Sequence, residues 1–422
     1  MDGPQDASGR PPSSAIEAQR ESVAGLAERL VGFDTQNPPG ETADLVDFLA
    51  DYLANLGLAV DRYATDPAKP NLQAILPGES DRVLCLQGHV DTVTYDAGDW
   101  TFDPLGEWDG DRLYGRGATD MKGPLAAMVG AIEAHVAADV TPPVTLHLCV
   151  VSDEETGGNA GLSALVSADR VDADACVIGE TTCEAGRHSV TIADRGSIWL
   201  VIEATGEAAH GSRPMVGTNA IDRLYEGITK LRSALGSRPL ELDPAVEPIV
   251  EESVEYYEPT LGAETTRALF EHPTINLGTI AGGDAVNTVP AHARAEVDVR
   301  LTAGVDTSAV LASIRDCVDD CPGVEIAEVS WSVGSYEPID SPLVDAVAGV
   351  AAEVTGDRIY RRSATGGGDA KALRREGVPT VEFGLGTDTV HAVDEYTTRA
   401  ALEGNLDVFA RLPAAFAREQ GE

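Results

Sequence analysis

Apolar residues return with helical spacing in two opening stretches, 15–32 (Ile16, Val23, Leu26, Leu30, Val31) and 41–56 (Leu45, Phe48, Leu49, Tyr52, Leu53, Leu56), the second closing on Gly57. The pattern then changes to short β-rich runs, LAVDRY, NLQAILPG and VLCLQGHVD, each stopped by Pro, Gly or polar residues. KGPLAAMVGAIEAHVAA predicts a helix over 122–138, VTLHLCVVSDEE a buried strand, residues 160–168 a helix and ACVIGE another strand. Strands alternating with helices predict an α/β fold with a mainly parallel sheet covered on both faces.

After Arg195 the order changes. GSIWLVIEATG reads as a strand, Ala220–Leu235 as a helix, PTINLGTIAGG and AHARAEVDVRL as two strands, Thr307–Asp320 as a helix and VEIAEVSWS as a closing strand. That βαββαβ order is the split unit of a ferredoxin-like domain. An acidic insertion over 236–272 is expected on its surface. Helix Pro342–Val354, the glycine-rich turn TGGGDAKAL, the strand PTVEFGLG and helix Thr398–Phe416 follow. This last block is too short for its own core, so it is expected to complete the first sheet. A chain of 422 residues exceeds what one core usually organises. The expected domains are a discontinuous one, 15–195 with 334–422, and an inserted one, 196–333, behind a loose tail at 1–14.

Charge narrows the setting. The net charge of −40 comes from 70 acidic against 30 basic residues, and the only lysines are Lys69, Lys122, Lys230 and Lys371. Binding of nucleic acid needs a basic face, so it is not expected. A hydrophobic content of 43% in periodic runs excludes a disordered acidic chain and places the charge on a folded surface. Self-repulsion there is screened when the Debye length shrinks to about 3 Å in 1 M salt. A cytoplasmic protein of a salt-accumulating organism is therefore expected. The opening residues, MDGPQDASGRPPSSAIEAQR, carry neither a basic region nor an apolar core, so neither signal peptide nor anchor is expected there. No apolar run has membrane-spanning length, and no membrane partner is expected. The six cysteines form no paired CxxC pattern and read as small core residues.

Candidate chemistry gathers where apolar runs end: His89-x-Asp91, Asp120, Glu154-Glu155, Glu180 and His391. In open α/β sheets the carboxyl ends of strands face the ligand crevice. His89 and Asp91 would share one side of a strand, the carboxylate holding the second ring nitrogen of a ligating imidazole. Asp120 precedes a helix, as a ligand or as its N-cap. Glu154 and Glu155 either meet a cation or lie exposed in a loop, because unpaired buried carboxylates are costly. Oxygen and imidazole donors without a thiolate suit Zn, Co or Mn. GxSxG is absent, and GRGATD lacks the third glycine of a dinucleotide fingerprint and the GK[ST] of a phosphate loop.

From Ile16 to its end the chain resembles the M20 metallopeptidase family, with GHVDTV, YGRGATDMKG, SDEETGG, VIGE, AAHGSRP, GGDAVNTVP and HAVDEY in family order. The resemblance implies a zinc-peptidase-type catalytic domain with an inserted lid, and two divalent ions, Zn before Co or Mn. His89, Asp120 and Glu180 would hold one ion and Asp120, Glu155 and His391 the other. Asp91 would orient His89, and Glu154 would be the general base. His210 would steady the oxyanion, in dimeric relatives often across subunits. Asn287 and Arg300 would bind the substrate's carboxylate and acyl portion, with Arg195 a weaker candidate; a surface ion pair is the alternative for Arg300. Gly367 and Gly368 would line the substrate, although TGGGDAK departs from the family's GGTDAR and puts Lys371 in place of an arginine. Glu rather than Asp at 180 tilts the expectation toward a deacylase, of acetylornithine or succinyl-diaminopimelate type, acting as a homodimer through the inserted domain. A dipeptidase or carboxypeptidase with the same centre is the nearest rival. A non-catalytic metal-binding protein is a further one, against which the presence of Glu154 speaks.

Overall fold

The computed structural model describes residues 9–236 and 238–419. The chain divides into two compact units. One holds the chain up to Ile192, Glu337–Arg362 and the chain from Gly368; the other holds Ala193–Tyr336 and Ser363–Gly367.

The first unit is a mixed α/β fold. Its sheet runs in the order Ala59–Tyr63, Asn71–Leu76, Val144–Val151, Ser80–His89, Ala175–Ile178, Thr380–Glu382, Arg187–Ala193 and Ile359–Ser363, with Cys183–Glu184 paired beside Arg187–Ala193. The four strands from Val144–Val151 to Thr380–Glu382 are parallel, as the strand–helix alternation predicts. Antiparallel neighbours flank them on both sides. Helix Lys122–Ala137 is buried almost throughout and packs between Arg20–Val31 and Arg399–Glu419. A helix apolar on every side belongs inside. Gly130 sets that packing, because a Cβ there would fall 2.2 Å from Val23 Cγ2.

Several elements depart from expectation. The first helix breaks at Gln19 into Ser13–Ala18 and Arg20–Val31. Of the tail expected at 1–14, residues 1–8 lie outside the described residues and 13–14 are helical. The strands Arg187–Ala193 and Ile359–Ser363 were not expected. Nor was the small sheet of Glu107–Asp109, Arg112–Tyr114 and Tyr396–Thr398, whose three-residue strands are too short for periodicity to reveal. Among the described residues, no helix is long and apolar enough to cross a membrane.

In the second unit four antiparallel strands run in the order Thr274–Gly282, His292–Leu301, Gly196–Thr205, Val324–Ser332. Helices Ala220–Gly236 and Thr307–Asp319 bury Leu224, Ile228, Leu231 and Ile314 against Ile198, Leu200 and Val297 on one face. The acidic insertion is more than surface. It forms helices Glu247–Leu261 and Ala263–Glu271, which bury Ile249, Val250, Val254, Tyr257 and Phe270. Those apolar positions have helical spacing, and the glutamates between them hide it. Ser253 and Tyr257 bond the main chain of Ser363, which groups residues 363–367 with this unit.

Candidate metal centre

Four neighbouring strand ends build the site. His89 closes Ser80–His89, Glu154 and Glu155 follow Val151, Glu180 follows Ile178, and the loop after Glu382 leads to His391. His89 Nε2 lies 3.2 Å from Asp120 Oδ1 and 3.3 Å from Glu180 Oε1. His391 Nε2 lies 3.0 Å from Asp120 Oδ2 and 3.3 Å from Glu155 Oε2. Each trio has its ligand atoms within 4.8 Å of one another, and Asp120 offers one oxygen to each. A tetrahedral ion with bonds of about 2.0–2.1 Å has ligand-to-ligand edges of about 3.3 Å, so the donor sets fit a pair of divalent ions. Asp120 is not a helix cap: Met121 takes the N-cap position, without a side-chain cap bond.

The crowded donors shift one another strongly. Burial and the Asp120 charge push Glu180 up to about 8. Burial would raise Asp120, yet His391 and His89 hold it far below the usual carboxylate range. Asp120 and Glu155 lift His391 to about 10. Burial would lower His89, but Asp120, Asp91 and Glu180 raise it well above its ordinary value. Glu154 is raised by burial, with Asp369, Glu180 and Glu155 adding to the push against the pull of His89. Carboxylates crowded in this way take up protons or cations, and the two compete.

Asp91 stands beside His89, as expected of a residue that orients it, and holds a second group as well. His89 Nδ1 bonds its main-chain oxygen at 2.9 Å, while its carboxylate is 3.6 Å away. The carboxylate accepts instead from the backbone N–H groups of Glu154 and Glu155, both at 3.1 Å, and from Asn37 Nδ2 at 2.8 Å. It orients the glutamate turn as well as the imidazole's strand end. Glu155 Oε1 accepts from Val93 N at 3.2 Å, which leaves Oε2 toward His391.

Glu395 and Arg116 hold the other side, and neither was singled out from the sequence. Arg116 Nη1 donates to Glu395 Oε2 at 2.7 Å, and Glu395 Oε1 accepts from the backbone N–H groups of Thr119 and Asp120 at 3.0 and 3.1 Å. Arg116 Nη2 also donates to the His391 carbonyl at 3.3 Å, so one buried pair supports a residue of each trio. Burial and the Asp120 charge push Glu395 up to about 7 against Arg116. Glu395→Gln leaves the guanidinium without its anion and is expected to cost about 3–5 kcal/mol. Chemical unfolding at fixed salt checks this; an unshifted midpoint would refute it.

Gly368 belongs to this unit, and a Cβ there would stand 3.3 Å from Glu154 Oε1. Its missing side chain keeps room beside that carboxylate. Asp369, next in the chain, accepts from Gln87 Nε2 at 2.9 Å and is pushed up to about 7, mainly by burial. Gly367 groups with the second unit, as do His210, Asn287 and Arg300. There His210 pairs with Thr288, and Gly211 N donates to the Asn287 carbonyl at 2.7 Å, which brings His210 and Asn287 side by side. Ser212 N donates to His210 Nδ1 at 3.2 Å, and Ser212 Oγ lies 2.8 Å from the same nitrogen. Arg300 Nε bonds both oxygens of Asp298 at 2.9 and 3.0 Å, the ion pair that was its alternative. Arg195 is buried and donates to the Arg300 carbonyl at 3.0 Å.

The residues missed were neighbours of the stations: Asp153 within SDEE, Arg116 within GRGATD and Glu395 within HAVDEY. Lysine scarcity was a usable signal. Two of the four lysines, Lys69 and Lys122, sit largely buried among these loops, Lys122 donating to the Phe33 carbonyl at 2.8 Å.

Known proteins resemble the chain along most of its length. The acetylornithine deacetylase of Yersinia pseudotuberculosis serotype O:1b is 29% identical over 393 residues, covering 89% of this chain and 91% of that one. The succinyl-diaminopimelate desuccinylase of Dinoroseobacter shibae is 31% identical over 342 residues, 78% of this chain and 83% of that one. An M20 family metallo-carboxypeptidase from Sulfolobus solfataricus has the same fold, with a TM-score of 0.77 at 18% identity over 93% of this chain and 99% of that one. The YXEP protein of Bacillus subtilis, a dinuclear metal binding peptidase from the M20 family, has the same fold with a TM-score of 0.63 at 15% identity over 94% of this chain and 98% of that one. Residues 85–415 match Peptidase family M20/M25/M40, and the protein belongs to that family of hydrolases acting on amide bonds.

Proposed function

We propose that the protein removes a small acyl group from an N-acyl amino acid, as a deacylase of the acetylornithine or succinyl-diaminopimelate type. The observation that carries this reading is the pair of trios sharing Asp120, with Glu154 beside them. A pair of divalent cations, zinc by preference, would supply Lewis acidity there when bound. His89, Asp120 and Glu180 would hold one and Asp120, Glu155 and His391 the other. Glu154 takes the proton of the attacking water and delivers it to the leaving nitrogen. Within the second unit, His210 is the group proposed for the developing oxyanion, and Asn287 and Arg300 are those proposed for the substrate carboxylate and acyl portion. Cytoplasmic residence in a salt-accumulating cell and homodimer formation through 196–333 belong to the same proposal.

Hydrolysis of N-acetylornithine, N-succinyl-diaminopimelate, other N-acyl amino acids and dipeptides, in molar KCl with Zn, Co or Mn, tests it. Turnover of an N-acyl amino acid that rises with KCl, by a species of dimer mass in light scattering, is the expected result. Preference for dipeptides would establish the peptidase reading. No turnover on any amide would leave a metal-binding protein.

A further inference from the structure

Glu154 and Glu155 both depend on the residue before them. Asp153 has a φ of +76°, the left-handed region that a residue with a Cβ enters only when its surroundings demand it. Four groups hold its carboxylate. Oδ1 accepts from Thr156 Oγ1 at 2.6 Å, from Asn37 Nδ2 at 3.0 Å and from Lys69 Nζ, and Oδ2 accepts from Ala160 N at 3.0 Å. Asn37 is bound further, its Oδ1 accepting from Lys69 Nζ at 3.1 Å and its Nδ2 donating to Asp91 Oδ2 at 2.8 Å and lying 3.0 Å from Thr156 Oγ1. Asp91 in turn accepts from the N–H groups of Glu154 and Glu155. Lys69 thus reaches the glutamate turn from both sides, through Asp153 and through Asn37 and Asp91.

The cation matters in kind as well as in charge. Its side chain is 15% exposed and that of Asp153 7%, so solvent does little to replace the contact. Gly40, with a φ of +78°, lies against it: a Cβ there would fall 2.6 Å from Lys69 Cε and 2.8 Å from Asn37 Oδ1. The passage admits a slender stem ending in a compact ammonium that bonds an aspartate and an amide at once. The broad planar fork of arginine does not match that geometry, which explains a lysine here when lysines make up four of 30 basic residues.

We propose that Lys69 is a positioning residue for the metal centre, fixing the Asp153 turn so that Glu155 points at an ion and Glu154 at the reacting water. The proposal rests on the amidohydrolase reading for Glu154, while its effect on Glu155 stands on metal binding alone. Two readouts keep them separate: steady-state kinetics on an amide that the wild type hydrolyses, and titration of chelator-stripped protein with Co(II), followed by visible absorption and needing no turnover. Lys69→Met is expected to lose about 10–100-fold in kcat with KM within about twofold, and to weaken one of the two Co(II) binding steps by a comparable factor. Because Lys69→Met leaves Asp153 unmatched, the double variant Lys69→Met/Asp153→Asn is measured beside it. That pair carries no unmatched charge and is expected to recover the thermal midpoint without recovering kcat or Co(II) affinity. Lys69→Arg keeps the charge but does not match the passage, and is expected to recover both the midpoint and activity only in part. Wild-type kcat and both wild-type Co(II) steps in the double variant would overturn the proposal. If the wild type hydrolyses no amide, the function reading fails and the Co(II) titration alone decides the role of Lys69.

Discussion

Glu154→Gln is expected to keep two metal ions per chain and lose about 100- to 10,000-fold in kcat, the usual worth of a positioned general base. Glu155→Gln is expected to fail the other way, losing the ion shared with Asp120 and His391 first and activity as a consequence. The two residues are adjacent and chemically identical, so only their surroundings separate them. Glu155 has one oxygen tied to Val93 N and the other 3.3 Å from His391 Nε2. Glu154 faces the space left by Gly368 and lies in a field of neighbouring carboxylates. The amide of glutamine is nearly isosteric with the carboxylate but cannot take a proton at neutral pH, so shape is conserved where function is removed. Metal analysis of dialysed protein and single-turnover hydrolysis separate the outcomes. Full activity in Glu154→Gln would remove it as the base; two tightly held ions in Glu155→Gln would remove it from the ligand set.

The second large effect concerns Asp120. Its two oxygens face His89 at 3.2 Å and His391 at 3.0 Å, and it is the one residue common to both trios. Asp120→Asn keeps the backbone bonds to Glu395 and offers a single neutral oxygen, so both ions are expected to weaken together. Ligand binding to the folded state stabilises it by about 4 kcal/mol at 1,000 times the dissociation constant. Chelation is therefore expected to lower the thermal midpoint of the wild type by several degrees and to change that of Asp120→Asn hardly at all. In the metal-free protein the loss of that charge leaves His89 and His391 without the carboxylate that pairs with both, so the metal-free midpoint is expected to fall as well. Calorimetric melting with and without EDTA, at constant KCl, reads both effects. A chelator-sensitive midpoint in Asp120→Asn, equal to that of the wild type, would exclude the shared bridge.

His89, the Glu154-Glu155 pair and Glu180 were legible because each closes an apolar run, and apolar runs are what periodicity detects best, whereas Asp120 and His391 lie in loops and were marked by the family resemblance. His89, Glu155 and Glu180 follow buried strands that the pattern locates to within a few residues. The same reasoning failed where apolar and acidic residues alternate without a clean stripe, as in Glu247–Leu261, and where strands are only three residues long, as around Tyr114 and Tyr396. The partners of the ligands were out of reach for another reason. Asn37, Lys69 and Asp153, or Arg116 and Glu395, are separated by up to 279 positions, and nothing local in the chain marks one as the partner of the other.

By itself, the order of apolar runs and of the side chains that close them determined an α/β framework, its crevice at the strand ends and the donor types gathered there, because burial and pleat act on neighbours in sequence. Only the tertiary structure decided which oxygen of Asp120 serves which histidine, that Asp91 holds the glutamate turn more closely than the imidazole, and that Lys69 and Glu395 steady the two halves of the site. Those are choices of distance and angle between segments far apart in the chain, and they exist only once the sheet has brought the segments together.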